Sequence, residues 1–297
     1  MPFRKFMLLT ASVAIVLITV TSLAGASPYS AIVVYGDSLS DNGNLYGLAH
    51  YPPLPPYYQG RFSNGPVAIE QLAAGWGVPL YDFAYGGATT GAGNVVDGGT
   101  QTNLGGSGLP GMQKELAASA PYLNPSLTSS ALFVIWGGAN DFFAGGSAST
   151  AVTNIDSMIA TLQGDGVQHI LVAGLPDIGL TPNYNGNPAA TAYSQQFNAL
   201  LLASLPSGVN YADTYTLLNQ IHNNPAAFGF TDVTDPCFNG AVCAHPDQYL
   251  FWDGIHPTTA ADSFLAKEFA AICQHRPKRS VSQPQAMGLP PWINLSQ

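Results

Sequence analysis

Val33-Val34-Tyr35-Gly36-Asp37-Ser38-Leu39-Ser40-Asp41 runs an apolar segment straight into a glycine, an acid and a serine. A short, nearly continuous apolar run bounded by turn residues reads as a strand buried on both faces of a parallel sheet. Working outward, four more runs of the same kind follow at Leu80–Ala84, Ala131–Trp136, His169–Ala173 and Val209–Ala212, and with Ala31–Tyr35 they make five. Between them lie stretches with helical period. Ile69 and Leu72 follow Pro66; Val152, Ile155, Ile159 and Leu162 form a stripe; so do Tyr193, Phe197, Leu200 and Leu201, and finally Leu265, Phe269 and Ile272. Strands alternating with helices predict right-handed crossovers and a sheet covered on both sides. The expected fold is therefore a three-layer α/β/α, doubly wound domain on a mainly five-stranded parallel sheet, spanning residues 27–275. In such folds ligands bind beyond the carboxyl ends of the strands, which is where Ser38 falls.

Charge narrows the partners. Of eight basic residues in the chain only Arg61, Lys114 and Lys267 lie within this domain, against all 17 acidic ones, a net of −14 with His neutral. Nucleic acid requires clustered Lys and Arg, and anionic membranes are disfavoured for the same reason. Outside the domain, Arg4 and Lys5 precede an apolar run from Phe6 to Leu23 and the small-residue site Ala24-Gly25-Ala26. This predicts a secretory signal over residues 1–26, cut after Ala26, in preference to a retained anchor, and so an extracellular or periplasmic protein without a membrane span after cleavage. Residues 276–297, with Arg276-Pro277-Lys278-Arg279, carry no helical period and read as a disordered tail. Export permits a disulfide between Cys237 and Cys243, which enclose five residues rich in turn formers. A zinc site at Cys237, Cys243 and His245 lacks a fourth ligand, and Cys273 reads as a buried small hydrophobe. A monomer without metal or cofactor is expected.

Two loops are long enough to suggest function: Leu45–Arg61, with four tyrosines among four prolines, and Gly86–Gly111, with ten glycines in 26 residues. Both are candidate substrate-binding segments. The glycine loop lacks the Gly-Lys-Ser/Thr ending of a phosphate cradle.

Far from Ser38, Phe251-Trp252-Asp253-Gly254-Ile255-His256-Pro257 sets an aspartate three residues before a histidine. In a turn the carboxylate would receive the ring Nδ1–H and leave Nε2 to accept a proton from Ser38. The spacing fits equally well an Asp253 that caps a helix starting near Pro257. Donors for an oxyanion could come from Phe83-Ala84-Tyr85-Gly86-Gly87-Ala88 or Trp136-Gly137-Gly138-Ala139-Asn140-Asp141, each of which also reads as a tight turn.

Taken together the segments resemble the GDSL family of the SGNH hydrolase superfamily. Gly36 to Asn44 resembles its first block, Asp82 to Ala88 its second, Gly138-Ala139-Asn140-Asp141 its third and Asp253-Gly254-Ile255-His256-Pro257 its fifth. The match runs from about residue 31 to 272. Gly60-Arg61-Phe62-Ser63-Asn64-Gly65 and Tyr249-Leu250-Phe251-Trp252-Asp253 look like the branch of plant GDSL lipases and secreted bacterial esterases. The resemblance implies a flavodoxin-like sheet, the nucleophile Ser38, the base His256, the acid Asp253 and an oxyanion hole of Ser38, Gly87 and Asn140. His245-Pro246-Asp247 stands where related sequences often carry Asn-Pro-Asp, making His245 a decoy for the base. The Gly-x-Ser-x-Gly elbow of α/β-hydrolases is absent. The implied function is hydrolysis of a small-molecule, lipid or glycan ester. Alternatives are acyl transfer to an alcohol, deacetylation of an extracellular glycan, or a catalytically silent binding module on the same fold.

Overall fold

The computed structural model describes residues 27–274, so the expected signal segment and basic tail lie outside the described residues. In chain order the elements are β1 (Ile32–Gly36), α1 (Asn44–Ala49), α2 (Ala68–Trp76), β2 (Leu80–Asp82), α3 (Met112–Ser119), α4 (Pro125–Ser130), β3 (Leu132–Trp136), α5 (Ala139–Phe143), α6 (Ala148–Gly164) and β4 (Ile170–Ala173). Then follow α7 (Pro188–Ser204), β5 (Asn210–Ala212), α8 (Thr214–Asn223), β6 (Asp232–Pro236), β7 (Tyr249–Phe251) and α9 (Thr259–Gln274).

The first five strands form one parallel sheet in the order β2-β1-β3-β4-β5. All residues of β1 and β3 are buried, as expected of strands apolar on both faces. Alternate side chains leave the sheet in opposite directions. Val33, Tyr35, Phe133 and Ile135 pack with Ile155, Ile159 and Phe197 of α6 and α7. Ile32, Val34, Leu132 and Trp136 pack with Ile69, Leu72 and Phe269 of α2 and α9. These are the two cores of a three-layer domain, and full burial of each such side chain is worth about 1.5–3 kcal/mol. The chain leaves β1 in one direction, to β2, and returns on its other side as β3. The switch point therefore lies between the carboxyl ends of β1 and β3, where a ligand crevice is expected.

Two features depart from the sequence reading. The first six residues from Asn44 form α1, although Leu45–Arg61 reads as loop throughout. The Asp41 carboxylate accepts from the backbone N–H groups of Gly43, Asn44 and Leu45 at 2.7, 2.6 and 3.1 Å and satisfies the donors at the start of that turn. The second is a small parallel pair, β6 with β7, outside the main sheet. Its β6 sequence, Asp-Val-Thr-Asp-Pro, carries no apolar signal, and pairing rather than propensity makes it a strand. Cys237 and Cys243, both in the connection from β6 to β7, form a disulfide, and Cys237 N–H and Phe238 N–H donate to Phe251 and Trp252 carbonyls at 3.0 and 2.7 Å. Cys273 is buried on α9. No helix among the described residues is long and apolar enough to cross a membrane.

Candidate active site

Ser38 follows β1 in a tight turn: Ser40 and Asp41 N–H donate to the Asp37 carbonyl at 3.0 and 2.9 Å, and Leu39 N–H donates to the Asp37 carboxylate at 3.1 Å. This turn ends the strand and aims the Ser38 side chain at the switch point. From the other end of the chain, β7 delivers Asp253 and His256. His256 Nε2 lies 2.8 Å from Ser38 Oγ, and Nδ1 lies 2.8 and 2.9 Å from the two Asp253 oxygens. Trp252 N–H donates to the His256 carbonyl at 2.8 Å, so the segment closes into a compact turn. Asp253 Oδ1 also accepts Ile255 and His256 N–H at 2.9 and 2.8 Å. Asp253 does not cap the following helix. That place belongs to Thr258, whose Oγ1 accepts Ala261 N–H at 3.3 Å. Burial opposes ionisation of Asp253, yet His256 and the converging donors outweigh it and bring its carboxyl down to about 2.

The Gly60–Gly65 block stitches the two ends together. Ser63 Oγ donates to the Pro257 carbonyl at 2.9 Å, and Asn64 Oδ1 accepts Thr259 N–H at 2.8 Å. Phe62 packs its ring 4.9 Å from that of His256. Tyr57, in the proline-rich loop, donates its hydroxyl to Asp253 Oδ2 at 2.7 Å. Neither aromatic stands out in the sequence as a partner of the Asp253–His256 pair: Tyr57 is one of four alike tyrosines in a candidate substrate-binding loop, and only its position against Asp253 distinguishes it. His245 is exposed and outside this group.

Of the expected oxyanion donors, Asn140 stands at the start of α5 and Gly87 beyond β2. Asn140 is buried and lines the same cavity as Ser38 and His256; one of its amide hydrogens goes to the Ala88 carbonyl at 3.0 Å, leaving a second to donate. Gly87 has φ 79, a left-handed conformation that disfavours any side chain, and a Cβ there would overlap Asn94 Oδ1. Among the described residues the Ser38 and Gly87 N–H groups donate to no other protein atom.

Beneath these turns lies a set of buried carboxylates whose role no motif announces. Glu115 of α3 accepts Gly36 N–H at 2.9 Å and Tyr85 N–H at 3.1 Å. Asp82 accepts Asn42 and Ala84 N–H, and Asp141 accepts from Thr90 N–H and its hydroxyl. Burial pushes the Glu115, Asp82 and Asp141 carboxyls above the usual range, and Asp37 beside the nucleophile up to about 7.

An apolar cavity opens from Ser38, Asn140 and His256 and extends between α8 and α9. Its walls include Leu217, Ile221, Phe251 and Leu265 but no residue of Leu45–Arg61 or Gly86–Gly111, the loops marked by length and composition.

A doubly wound sheet with a serine, a histidine and an aspartate gathered at its switch point is an arrangement found in serine hydrolases. Residues 32–269 match the family of GDSL-like Lipase/Acylhydrolase, and the chain belongs to it as an ester-hydrolysing enzyme. It is 30% identical, over 88% of its length and 95% of the relative, to a phosphatidylcholine-sterol acyltransferase of Aeromonas hydrophila. It is 28% identical to esterase EstA of Pseudomonas aeruginosa, over 82% of this chain and 46% of that protein. A lipolytic G-D-S-L family protein from Veillonella parvula superposes with a TM-score of 0.51 at 13% identity, covering 83% of this chain and 99% of that one, a likeness of fold alone.

Proposed function

We propose that the protein is an exported serine carboxylic-ester hydrolase with Ser38 as nucleophile, His256 as general base and acid, and Asp253 as the group that orients His256. The observation that carries this reading is the unbroken line of hydrogen bonds from Ser38 Oγ through the imidazole to Asp253. With Nδ1–H donated to the ionised Asp253, Nε2 accepts the Ser38 proton as Oγ attacks the ester carbonyl. The developing oxyanion is received by the Ser38 and Gly87 N–H groups and the second Asn140 amide hydrogen, all held in place before reaction. His256 then protonates the departing alcohol. Water, deprotonated by the same nitrogen, releases the acid from Ser38. The disulfide and the N-terminal apolar segment support export.

A fluorophosphonate probe should label the wild-type protein at Ser38, and Ser38→Ala should lose labelling together with aryl-ester turnover by on the order of 10⁴-fold or more. Turnover in Ser38→Ala at the wild-type rate would refute the scheme. A second reading, transfer of the acyl group to an alcohol, is favoured by the likeness to the Aeromonas hydrophila acyltransferase. It uses the same acyl-enzyme and differs only in the acceptor.

A further inference from the structure

Tyr85-Gly86-Gly87-Ala88 closes a four-residue turn after β2, with Ala88 N–H donating to the Tyr85 carbonyl at 3.0 Å. Gly87, the third residue, has φ 79, whereas φ of Gly86 is not positive, so the turn is of type II. Types I and II differ by rotation of the peptide unit between the two central residues, which reverses its carbonyl and its N–H. A side chain at the third position would normally settle the choice. Glycine accepts either sign of φ, so at Gly87 steric exclusion decides nothing. The unit concerned carries the Gly87 N–H, and its reversal would turn that donor away from the oxyanion.

The groups around this unit are all tied. Tyr85 N–H donates to Glu115 Oε1 at 3.1 Å, Gly86 N–H to Asp41 Oδ2 at 2.7 Å, and Val95 N–H to the Gly87 carbonyl at 2.9 Å. These bonds hold the chain on either side and leave the Gly86–Gly87 unit itself free to turn. Among the described residues its one protein bond comes from Asn94, whose Nδ2 donates to the Gly86 carbonyl at 2.8 Å. Because a trans peptide is planar, with carbonyl and N–H opposed, fixing that carbonyl fixes the direction of the Gly87 N–H. Asn94 is fully buried, and its amide is fixed in turn: Nδ2 also donates to the Pro110 carbonyl at 3.1 Å, and Oδ1 accepts Val96 N–H at 3.0 Å. Exchanging the two ends of the amide would set its oxygen against two carbonyls.

We infer that Asn94 is a positioning residue for ester hydrolysis, its amide selecting the turn state in which the Gly87 N–H faces the oxyanion. The inference rests on the serine ester-hydrolase reading and adds to it a residue too deeply buried to touch substrate. Clamp and glycine require each other, since a Cβ on Gly87 would overlap Asn94 Oδ1.

Two substitutions remove the clamp: Asn94→Leu keeps the volume without the donor, and Asn94→Ala leaves room for water at the Gly86 carbonyl. With a p-nitrophenyl ester, kcat should fall by about 100-fold in Asn94→Leu and about tenfold or more in Asn94→Ala, with KM unchanged. The decisive measurement is Ki for a trifluoromethyl ketone. Ser38 Oγ bonds to its carbonyl carbon, the carbonyl π pair moves to oxygen and His256 takes the hydroxyl proton, so the adduct fills the oxyanion hole as the transition state does. Ki should rise by the factor by which kcat falls. A misfolded fraction lowers the apparent kcat but leaves Ki where it was, and Ki unchanged in both variants overturns the clamp. In the wild type, the Asn94 side-chain amide protons should exchange with solvent about 100-fold or more slowly than those of the exposed Asn223. Equal exchange rates overturn the clamp whether or not the variants fold. Absence of both ester turnover and fluorophosphonate labelling in the wild type overturns the hydrolase reading itself.

Discussion

The two long loops differ in how much of their fastening comes from side chains and how much from backbone. Leu45–Arg61 is fastened by side chains: Tyr57 to Asp253, and Arg61 to Glu70 through two contacts at 2.6 and 3.1 Å. Gly86–Gly111 adds to side-chain ties, such as Thr90 to Asp141 and Asn94 Nδ2 to the Gly86 carbonyl, a dense set of backbone bonds of its own. Ala92 N–H donates to Gln101, Gly93 N–H to Thr100 and Gly111 N–H to Ala92, each at 3.0–3.1 Å. Glycine content therefore does not mean mobility here. In this loop glycines let backbones approach to hydrogen-bonding distance, and a Cβ on Gly91 would overlap the Gln101 carbonyl oxygen. Two segments that look equally irregular in sequence are thus sensitive to different kinds of change.

The sharpest way to break this contrast is Gly91→Ala. With backbone as the obstacle there is no side chain to move aside, and the substitution should cost on the order of 3 kcal/mol, lowering Tm by roughly 6–12 °C. A Tm within a degree of the wild type would show that the glycine loop is not held as described.

Tyr57→Phe tests the other loop. The ring remains and one hydrogen bond to a charged carboxylate is lost. Because that bond acts through Asp253 on His256, kcat should fall about tenfold with KM unchanged. A change confined to KM, or an equal loss in Tyr58→Phe, would reduce Tyr57 to loop packing.

The third expectation concerns the carboxylates beneath the turns. Asp41 serves both loops, accepting Gly86 N–H at 2.7 Å as well as the donors at the start of α1, and burial raises its carboxyl above the usual range. Asp37 is raised by burial to about 7 from 3.8. Between those two values the folded chain holds a proton that the unfolded chain has released, so stability must fall as pH rises across that window, by up to about 4 kcal/mol for Asp37. Asp253, lowered to about 2, works in the other direction: its contribution is present above about pH 4 and is lost as pH falls through 2. Tm should therefore be higher at pH 5 than at pH 8, and Asp37→Asn, which keeps an oxygen for Leu39 N–H, should shrink that difference. A wild-type Tm that climbs from pH 5 to pH 8 would refute the assignment.

Much of this molecule is legible in one dimension. All five strands of the main sheet lie where their apolar runs predict, within a residue or two at each end. Helices α6 and α9 follow their stripes, and α7 does so at Tyr193, Phe197 and Leu201, whereas Leu200 of the same expected stripe is exposed. α8 is different. Leu217, Leu218 and Ile221 share one of its faces, but periodicity does not tell that this face borders a cavity as well as a core. Glu115 sits in a helix of weak pattern, and nothing local marks it as the acceptor for Gly36 and Tyr85.

By itself the sequence determined the sheet, its layers and the order of the blocks that carry chemistry, because buried parallel strands must be apolar throughout and turns must use turn-forming residues. Those constraints act over a few neighbouring positions. Only the tertiary structure decided that Asp253 faces His256 and Tyr57 rather than capping α9, that buried acids brace the turns, and that the cavity lies between α8 and α9. Each of these depends on groups far apart in the chain, such as Tyr57 and Asp253, meeting where water is excluded. There a single donor or a wall of hydrocarbon acquires its meaning from what surrounds it, not from its neighbours in sequence.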